Sequence, residues 1–170
     1  MRRHYPRTST LAVAALLLTA CAGVTQYYEG TGLHDATTAE AVGDWTGRQQ
    51  ARLTLRADGT AVIDRLDGQD WDFDEGWQLS GTGRWELTDR DAGQELVVDL
   101  TARTATGLRA VDRRSPAPAP DGYRWRFHVK RDRQRELQLF AFVGDPDSGD
   151  AYLLTRAPAG PGSAPGPAVR

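Results

Sequence analysis

Large apolar residues alternate with polar residues along most of the chain between positions 43 and 156. The longest such run is the segment 123–130, YRWRFHVK, in which Tyr, Trp, Phe and Val alternate with Arg, Arg, His and Lys. A period of two residues is that of a β-strand, whose successive side chains point to opposite faces. The pattern therefore predicts strands that are buried on one face and hydrated on the other.

The same period predicts eight or nine strands. They lie near residues 44–48, 50–56, 60–66, 82–88, 95–101, 107–111, 122–130 and 136–143, with a ninth near 151–156, and the first two are a single bent strand in one interpretation. Hairpin-length turns such as Asp58-Gly59 and the lack of a helical period predict an all-β antiparallel meander. Closure into a small barrel removes the sheet edges, and a two-sheet β-sandwich is the alternative. Because the outward face is polar, we expect water rather than lipid around the barrel.

The alternation also predicts which side chains point into the barrel. They are Trp45, Leu53, Leu55, Ile63, Trp85, Leu87, Leu96, Val98, Leu100, Tyr123, Trp125, Phe127, Val129, Leu137 and Leu139. An eight-stranded barrel of this size is either filled by such side chains or holds one small ligand.

The N-terminus has the parts of a bacterial export signal. Arg2, Arg3 and Arg7 precede an apolar run, LAVAALLL, at positions 11–18. That run is too short to cross a hydrocarbon layer of about 30 Å, so we interpret it as a signal rather than an anchor.

The end of that run, Leu18-Thr19-Ala20-Cys21, resembles the lipobox of bacterial lipoproteins. The resemblance implies that residues 1–20 are a cleaved signal peptide, that Cys21 is acylated, and that acyl chains hold the protein on the outer face of the cytoplasmic membrane. The alternative is an ordinary secretory signal followed by an unmodified thiol.

Composition limits the kinds of fold, metal site and partner that remain possible. The chain has 170 residues, 39% of them hydrophobic, with 21 basic and 23 acidic residues and one cysteine. One cysteine excludes a disulfide framework and a Cys-rich zinc site. Loss of the three signal-peptide arginines leaves 18 basic residues against 23 acidic ones, a net charge of -5. We therefore expect no nucleic-acid partner.

These features divide the chain into four parts. After the signal peptide 1–20, the segment 21–42 is small and polar and is predicted to be a lipidated N-terminus and flexible tether. The β-barrel domain follows over 43–156. The segment 157–170, rich in Pro, Gly and Ala, is predicted to be a disordered tail.

Two loops carry candidate sites. Asp145, Asp147 and Asp150 put three carboxylates close together, as a hard cation such as Ca²⁺ requires, but a rigid turn explains the same residues without a metal and is the interpretation we adopt. The segment 67–77, DGQDWDFDEGW, alternates acidic residues with aromatic ones. Trp71, Phe73 and Trp77 are predicted either to form the rim of a ligand or partner site, or to pack over the barrel end for stability.

No catalytic constellation is evident in the sequence. His34 and His128 are the only histidines after the signal peptide, and neither has a serine nucleophile or metal-ligand spacing around it. We expect no cofactor, no bound metal and no enzymatic activity. Arg124, Arg126, His128, Lys130 and Arg131 form a basic ridge that we interpret as a solvated strand face.

The order of several motifs resembles lipocalin-like or avidin-like barrels of uncharacterised actinobacterial lipoproteins. The motifs are Gly43-Asp44-Trp45, Leu53-Thr54-Leu55 with Asp58-Gly59-Thr60, the segment 81–87 containing Gly83-Arg84-Trp85, and Leu139-Phe140 followed by Tyr152 and Arg156. The resemblance implies that Trp45 closes one end of the barrel. It implies no particular ligand.

Two functions are therefore expected for the domain. One is a non-enzymatic binding module for a small, partly apolar ligand. The other is a protein-interaction or inhibitor module that acts on a secreted or envelope protein through the acidic-aromatic segment.

Overall fold

The eight strands form one closed antiparallel barrel in chain order. The computed structural model describes residues 30–68, 77–108 and 118–158, apart from the side chain of Asp147. The strands are β1 (Gly43–Thr46), β2 (Arg52–Leu55), β3 (Thr60–Asp67), β4 (Trp77–Arg90), β5 (Gly93–Leu108), β6 (Tyr123–Arg131), β7 (Leu137–Phe142) and β8 (Ala151–Arg156). β1 closes the barrel by pairing with β8 through Trp45↔Arg156 and Thr46↔Thr155. The predicted small lipocalin-like meander barrel is confirmed, and the sandwich alternative is wrong.

Two strand predictions differ from the structure, and the alternative of one bent strand for the first two is wrong. Residues 107 and 108 do not start a separate strand, because β5 runs without interruption from Gly93 to Leu108 and pairs with β4 along its length. Most side chains between 101 and 108 are exposed, so this stretch carries no hydrophobic period to detect. β4 begins at Trp77, before the predicted 82. β1 and β2 are separate strands, because Gln49 and Gln50 adopt positive φ angles (53° and 64°) and reverse the chain between them.

Successive connections lie at opposite ends of such a meander. One end, which we call the closed end, holds the β2–β3, β4–β5 and β6–β7 turns and the segment that precedes β1. The other end, which we call the mouth, holds the β1–β2 and β7–β8 connections and the first residues of β4, β6 and β8. Each side chain near the end of a strand can therefore be assigned to one of these two ends.

Large aromatic and leucine side chains occupy the interior between the two ends. The largest fully buried side chains are Trp45, Trp77, Trp125, Tyr152, Phe127, Leu53, Leu55, Leu66, Leu79, Leu96 and Leu139. All residues predicted to point inward belong to this core or pack against it, with Leu87 and Tyr123 only partly buried. The alternation of the sequence therefore identifies the inner face correctly.

A β-bulge in β3 keeps a charge out of this core. The register of β3 against β4 shifts between Ile63 and Leu66, and Arg65 adopts a φ of 53°. Without the extra residue, Arg65 would follow Ile63 onto the inner face. The bulge instead buries Leu66, while the Arg65 amide donates to Ser80 Oγ at 2.9 Å and its side chain stays partly exposed.

The chain between 30 and 42 is part of the folded domain, so the prediction of a flexible tether is wrong for these residues. Gln94 fixes the segment, because its side chain accepts from the Ala36 amide at 2.8 Å and donates to the Ala36 carbonyl at 2.9 Å. A short helix, α1 (Thr38–Ala41), follows, with a capping box between Thr37 and Glu40. This segment docks through small residues such as Ala36 and Ala41, which are buried but contribute little apolar area each. Its docking therefore produces no hydrophobic period in the sequence.

Within the described parts of the chain, no helix has the length and apolar character needed to cross a membrane.

Candidate functional site

Three aromatic rings lie at the mouth of the barrel, and each contacts the next. The Trp77 ring at the start of β4 meets Tyr123 edge-on, with centroids 5.3 Å apart at 86°. Tyr123 in turn meets Trp125 at 4.8 Å and 64°. Trp77 and Trp125 are almost fully buried, whereas Tyr123, the first residue of β6, remains partly exposed. We call these three residues the aromatic ladder.

A buried polar cluster lies beside the aromatic ladder. The Trp125 indole Nε1–H donates to the Asp67 carbonyl oxygen at 2.7 Å, which ties the end of β3 to β6. Asp67 and Tyr152 are both 0% exposed. Burial, and then the charge of the Asp67 carboxylate, raise the pKa of the Tyr152 hydroxyl, while Arg48 lowers it by a smaller amount. Tyr152 is therefore a protonated phenol over the whole neutral pH range.

The β1–β2 turn covers this cluster with polar side chains. The Arg48 guanidinium lies 4.9 Å from the centre of the Tyr152 ring. Gln49 Oε1 is 3.5 Å from Gln78 Nε2, and Gln50 Oε1 accepts from Arg65 Nη1 at 2.9 Å. The mouth thus combines aromatic side chains with a few polar groups, which are the residue types common in small-molecule sites.

The predicted aromatic rim lies only partly within the described residues. Trp71 and Phe73 are outside them. Trp77 is 1% exposed and belongs to the core. The Gly68 backbone lies against the Trp77 ring, and a Cβ atom at position 68 would be only 2.6 Å from that ring. This close contact explains why a glycine follows β3. For Trp77 the alternative interpretation, packing for stability, applies.

Trp45 lies at the closed end, beneath α1. It is 0% exposed, and its Nε1–H donates to the Ala41 carbonyl at 3.0 Å. The Arg156 guanidinium covers the other side of the indole, 4.2 Å from the ring centre, and donates to the Val42 carbonyl at 2.7 Å. These contacts join the first strand, the last strand and the segment before the barrel.

The acidic loop after β7 is a compact turn. The Ser148 amide donates to the Asp145 carbonyl at 2.9 Å, and the Val143 amide donates to the Asp150 carbonyl at 3.0 Å. Gly144 and Gly149 take positive φ angles of 72° and 74° that these turns require. The side chain of Asp147, one of the three candidate ligands, lies outside the described residues; among the side chains that are described, no group of three His, Cys, Asp or Glu is placed to hold a metal ion.

The two histidines lie apart from the mouth. His34 Nδ1 is 2.7 Å from Asp89 Oδ1 at the closed end. His128 is on the outer face of β6, where its ring packs 5.3 Å from Phe140 and 5.7 Å from Phe142. Burial lowers the pKa of His128, and the nearby Glu95 carboxylate opposes that shift.

The basic ridge is largely paired within the domain. Arg124 makes a two-point contact with Asp99 at 2.6 and 3.0 Å. Arg131 contacts Asp35 and Glu40, each near 3 Å, and Lys130 lies over the Phe140 ring at 4.8 Å. The ridge therefore presents much less positive charge than its sequence suggests.

Sequence reasoning missed the polar half of the mouth. Asp67, Arg48 and Tyr152 lie on three different segments, and the sequence pattern places Asp67 in the loop that follows β3, whereas it is the last residue of that strand. The one usable signal is the period of Tyr152 and Leu154 in β8, which places the phenol inward.

Comparison of the chain with protein-family models, with curated proteins and with solved structures gives no match.

Proposed function

We propose that this protein is a lipoprotein held on the outer face of the cytoplasmic membrane by acyl chains on Cys21. Its barrel is a non-enzymatic binding module that takes a small, partly apolar ligand at the mouth. The lipobox-like residues Leu18-Thr19-Ala20-Cys21 support the anchor. The motif order supports kinship with actinobacterial lipoproteins that carry lipocalin-like barrels, a kinship that is likewise part of the proposal.

The position of the ligand follows from how the interior is filled. Trp45 and Phe127 are fully buried in the interior and occupy space that a deeply bound ligand would need. The mouth instead offers the aromatic ladder, with Tyr123 partly exposed, next to the buried Asp67 and Tyr152. This pairing of aromatic rings with buried polar groups is the observation that carries the proposal. The proposed ligand has an apolar body and a hydrogen-bonding end.

Native mass spectrometry tests the ligand. The full-length lipoprotein is purified gently from its own host and weighed before and after denaturation. Covalent acyl chains remain on the denatured chain, so any mass lost on denaturation belongs to a non-covalent ligand. We expect such a mass, and a bare protein would contradict the proposal.

A matched pair of variants locates the site. Tyr123→Leu removes the partly exposed ring at the mouth, and Phe142→Leu removes a partly exposed ring from the outer face of β7. We expect Tyr123→Leu to lose the bound mass and Phe142→Leu to keep it, with circular dichroism confirming that both are folded. Retention of the ligand in both variants would show that the mouth is not the site.

Replacement of Cys21 by Ser tests the anchor separately. We expect the wild-type protein to fractionate with membranes and to incorporate radiolabelled fatty acid, and Cys21→Ser to do neither. Equal incorporation of label would contradict acylation at Cys21.

A second candidate function is a protein-interaction or inhibitor module. The supporting observation is Leu108, which is 65% exposed at the mouth end of β5. Binding through the acidic residues Asp70, Asp72, Asp74 and Glu75 would give an affinity for the partner that falls as salt concentration rises. A salt-independent affinity for a purified envelope partner would count against this function.

A further inference from the structure

The turn between β1 and β2 has a fixed base. The Gly47 amide donates to the Ala51 carbonyl at 2.9 Å, and the Ala51 amide donates to the Arg48 carbonyl at 3.0 Å. Ala51 is 0% exposed, and a Cβ atom at position 47 would lie only 2.6 Å from the Leu154 side chain. The two ends of the turn are therefore packed against the barrel, whereas residues 48–50 between them are exposed.

The exposed part of the turn has a strained backbone. Gln49 and Gln50 adopt φ angles of 53° and 64°, in the left-handed region that glycine and asparagine adopt most readily. A two-residue turn with such a backbone usually carries Asn-Gly or Gly-Gly. Because two glutamines raise the free energy of this turn, other arrangements of residues 48–50 lie closer in free energy than they would with glycine.

Side-chain contacts hold the turn over the mouth. The Arg48 guanidinium lies 4.9 Å from the centre of the Tyr152 ring, and Gln50 Oε1 accepts from Arg65 Nη1 at 2.9 Å. Contacts made by exposed side chains such as these contribute little to stability each. Local motion can therefore break them while the barrel stays folded.

The polar groups beneath the turn are closed to solvent. Tyr152 and Asp67 are both 0% exposed, and the Trp125 Nε1–H that donates to the Asp67 carbonyl is buried with them. A ligand at the mouth meets the partly exposed Tyr123 ring directly. It cannot touch Tyr152 in this arrangement, because the phenol is buried and the Arg48 guanidinium covers its ring.

We propose that residues 48–50 are a lid that opens on the base formed by Gly47 and Ala51, and that Arg48 is its gating residue. The open lid exposes Tyr152 and Asp67 to the polar end of a ligand. This inference rests on the proposed ligand site at the mouth, because the lid controls access to the polar half of that site.

Exchange of the indole N–H groups with water measures the opening without any ligand. The full-length lipoprotein is labelled with ¹⁵N-tryptophan and studied in detergent micelles at urea concentrations well below unfolding. Local opening exchanges a buried N–H at a rate that hardly depends on urea, whereas exchange through global unfolding accelerates steeply with it. We expect the Trp125 Nε1–H to exchange by local opening.

A matched pair of variants locates that opening, since each removes a guanidinium from an aromatic face. Arg48→Ala acts on Tyr152 at the mouth, and Arg156→Ala acts on Trp45 at the closed end, where the guanidinium lies 4.2 Å from the ring centre. We expect Arg48→Ala to speed exchange of the Trp125 Nε1–H by about threefold or more and to leave that of Trp45 within about twofold. Arg156→Ala should leave the exchange of Trp125 within about twofold.

The lid and the proposed function fail in different measurements. Exchange of Trp125 that follows global unfolding, or that Arg48→Ala leaves unchanged, would overturn the lid and would not alter the bound mass seen by native mass spectrometry. A bare protein in the mass measurement would contradict the proposed function, even where the exchange rates show that the turn opens.

Discussion

The Arg156 guanidinium carbon lies 4.2 Å from the centre of the Trp45 indole ring, across the pair of strands that closes the barrel. Burial lowers the pKa of Arg156, but its ordinary value is so high that the group stays charged. The cation therefore covers an aromatic face at the closed end while it also binds the Val42 carbonyl. One side chain thus joins the last strand, the first strand and the segment that precedes it.

Removal of that guanidinium should weaken the closure of the barrel. We expect Arg156→Ala to lower the free energy of unfolding by about 2 kcal/mol, from loss of the cation–π contact and of one hydrogen bond. Urea titration followed by tryptophan fluorescence measures this. Arg52→Ala, on the exposed face of β2, serves as the control, and an equal effect of both variants would contradict a special role for Arg156.

Gln94 should hold the segment 33–36 on the barrel. Gln94→Ala leaves the Ala36 amide and carbonyl without their partner at a buried position, which costs about 1 to 3 kcal/mol for each unsatisfied group. We expect lower stability and faster hydrogen exchange at the Ala36 amide. The equally buried Gln78 is the matched control, and Gln78→Ala should leave the exchange of Ala36 unchanged.

Protonation of Glu40 in acid should lower the free energy of unfolding. Hydrogen bonds from Arg131 and Thr37 lower its pKa from 4.5 to about 2. Because the pKa is lower in the folded state, the stabilisation is present above pH 4.5 and is lost as the pH falls toward 2. The side chain is partly exposed, so we expect an effect below about 1 kcal/mol. Acid titrations of wild type and Glu40→Gln should converge at low pH, and parallel curves would contradict the prediction.

Tyr152 should remain protonated in alkali for as long as the protein is folded. Its pKa is raised, so the folded state is stabilised below the ordinary pKa of tyrosine and loses that stabilisation as the pH rises through the folded value. Ultraviolet absorbance titration should therefore show the same phenolate amplitude for wild type and Tyr152→Phe until unfolding begins. A smaller amplitude in the variant before unfolding would contradict this prediction.

Trp77 should contribute to stability whether or not a ligand is bound. Its side chain is 1% exposed and packs on Tyr123, so Trp77→Ala should cost about 3 to 5 kcal/mol through loss of buried area and formation of a cavity. Denaturant unfolding of the ligand-free protein measures this. A variant as stable as wild type would place Trp77 outside the core.

The sequence by itself determined most of the strands and their inner face, because alternation with a period of two is a local property of consecutive residues. Leu53 and Leu55 in β2, or Trp125 and Phe127 in β6, are recognisable without any knowledge of their partners. The hairpin at Asp58-Gly59 is local in the same sense, since a few residues and one positive φ angle form it.

Tertiary structure alone decided which residues meet. Asp67 lies beside Tyr152, 85 positions along the chain, only because β1 pairs with β8 and the bulge at Arg65 sets the end of β3. The docking of Ala36 depends on the Gln94 side chain from β5. Small residues produce no hydrophobic period in the sequence, so this docking cannot be predicted from it. Contacts of this kind depend on register, bulges and closure, which are properties of the whole sheet and are not encoded in the alternation of any one strand.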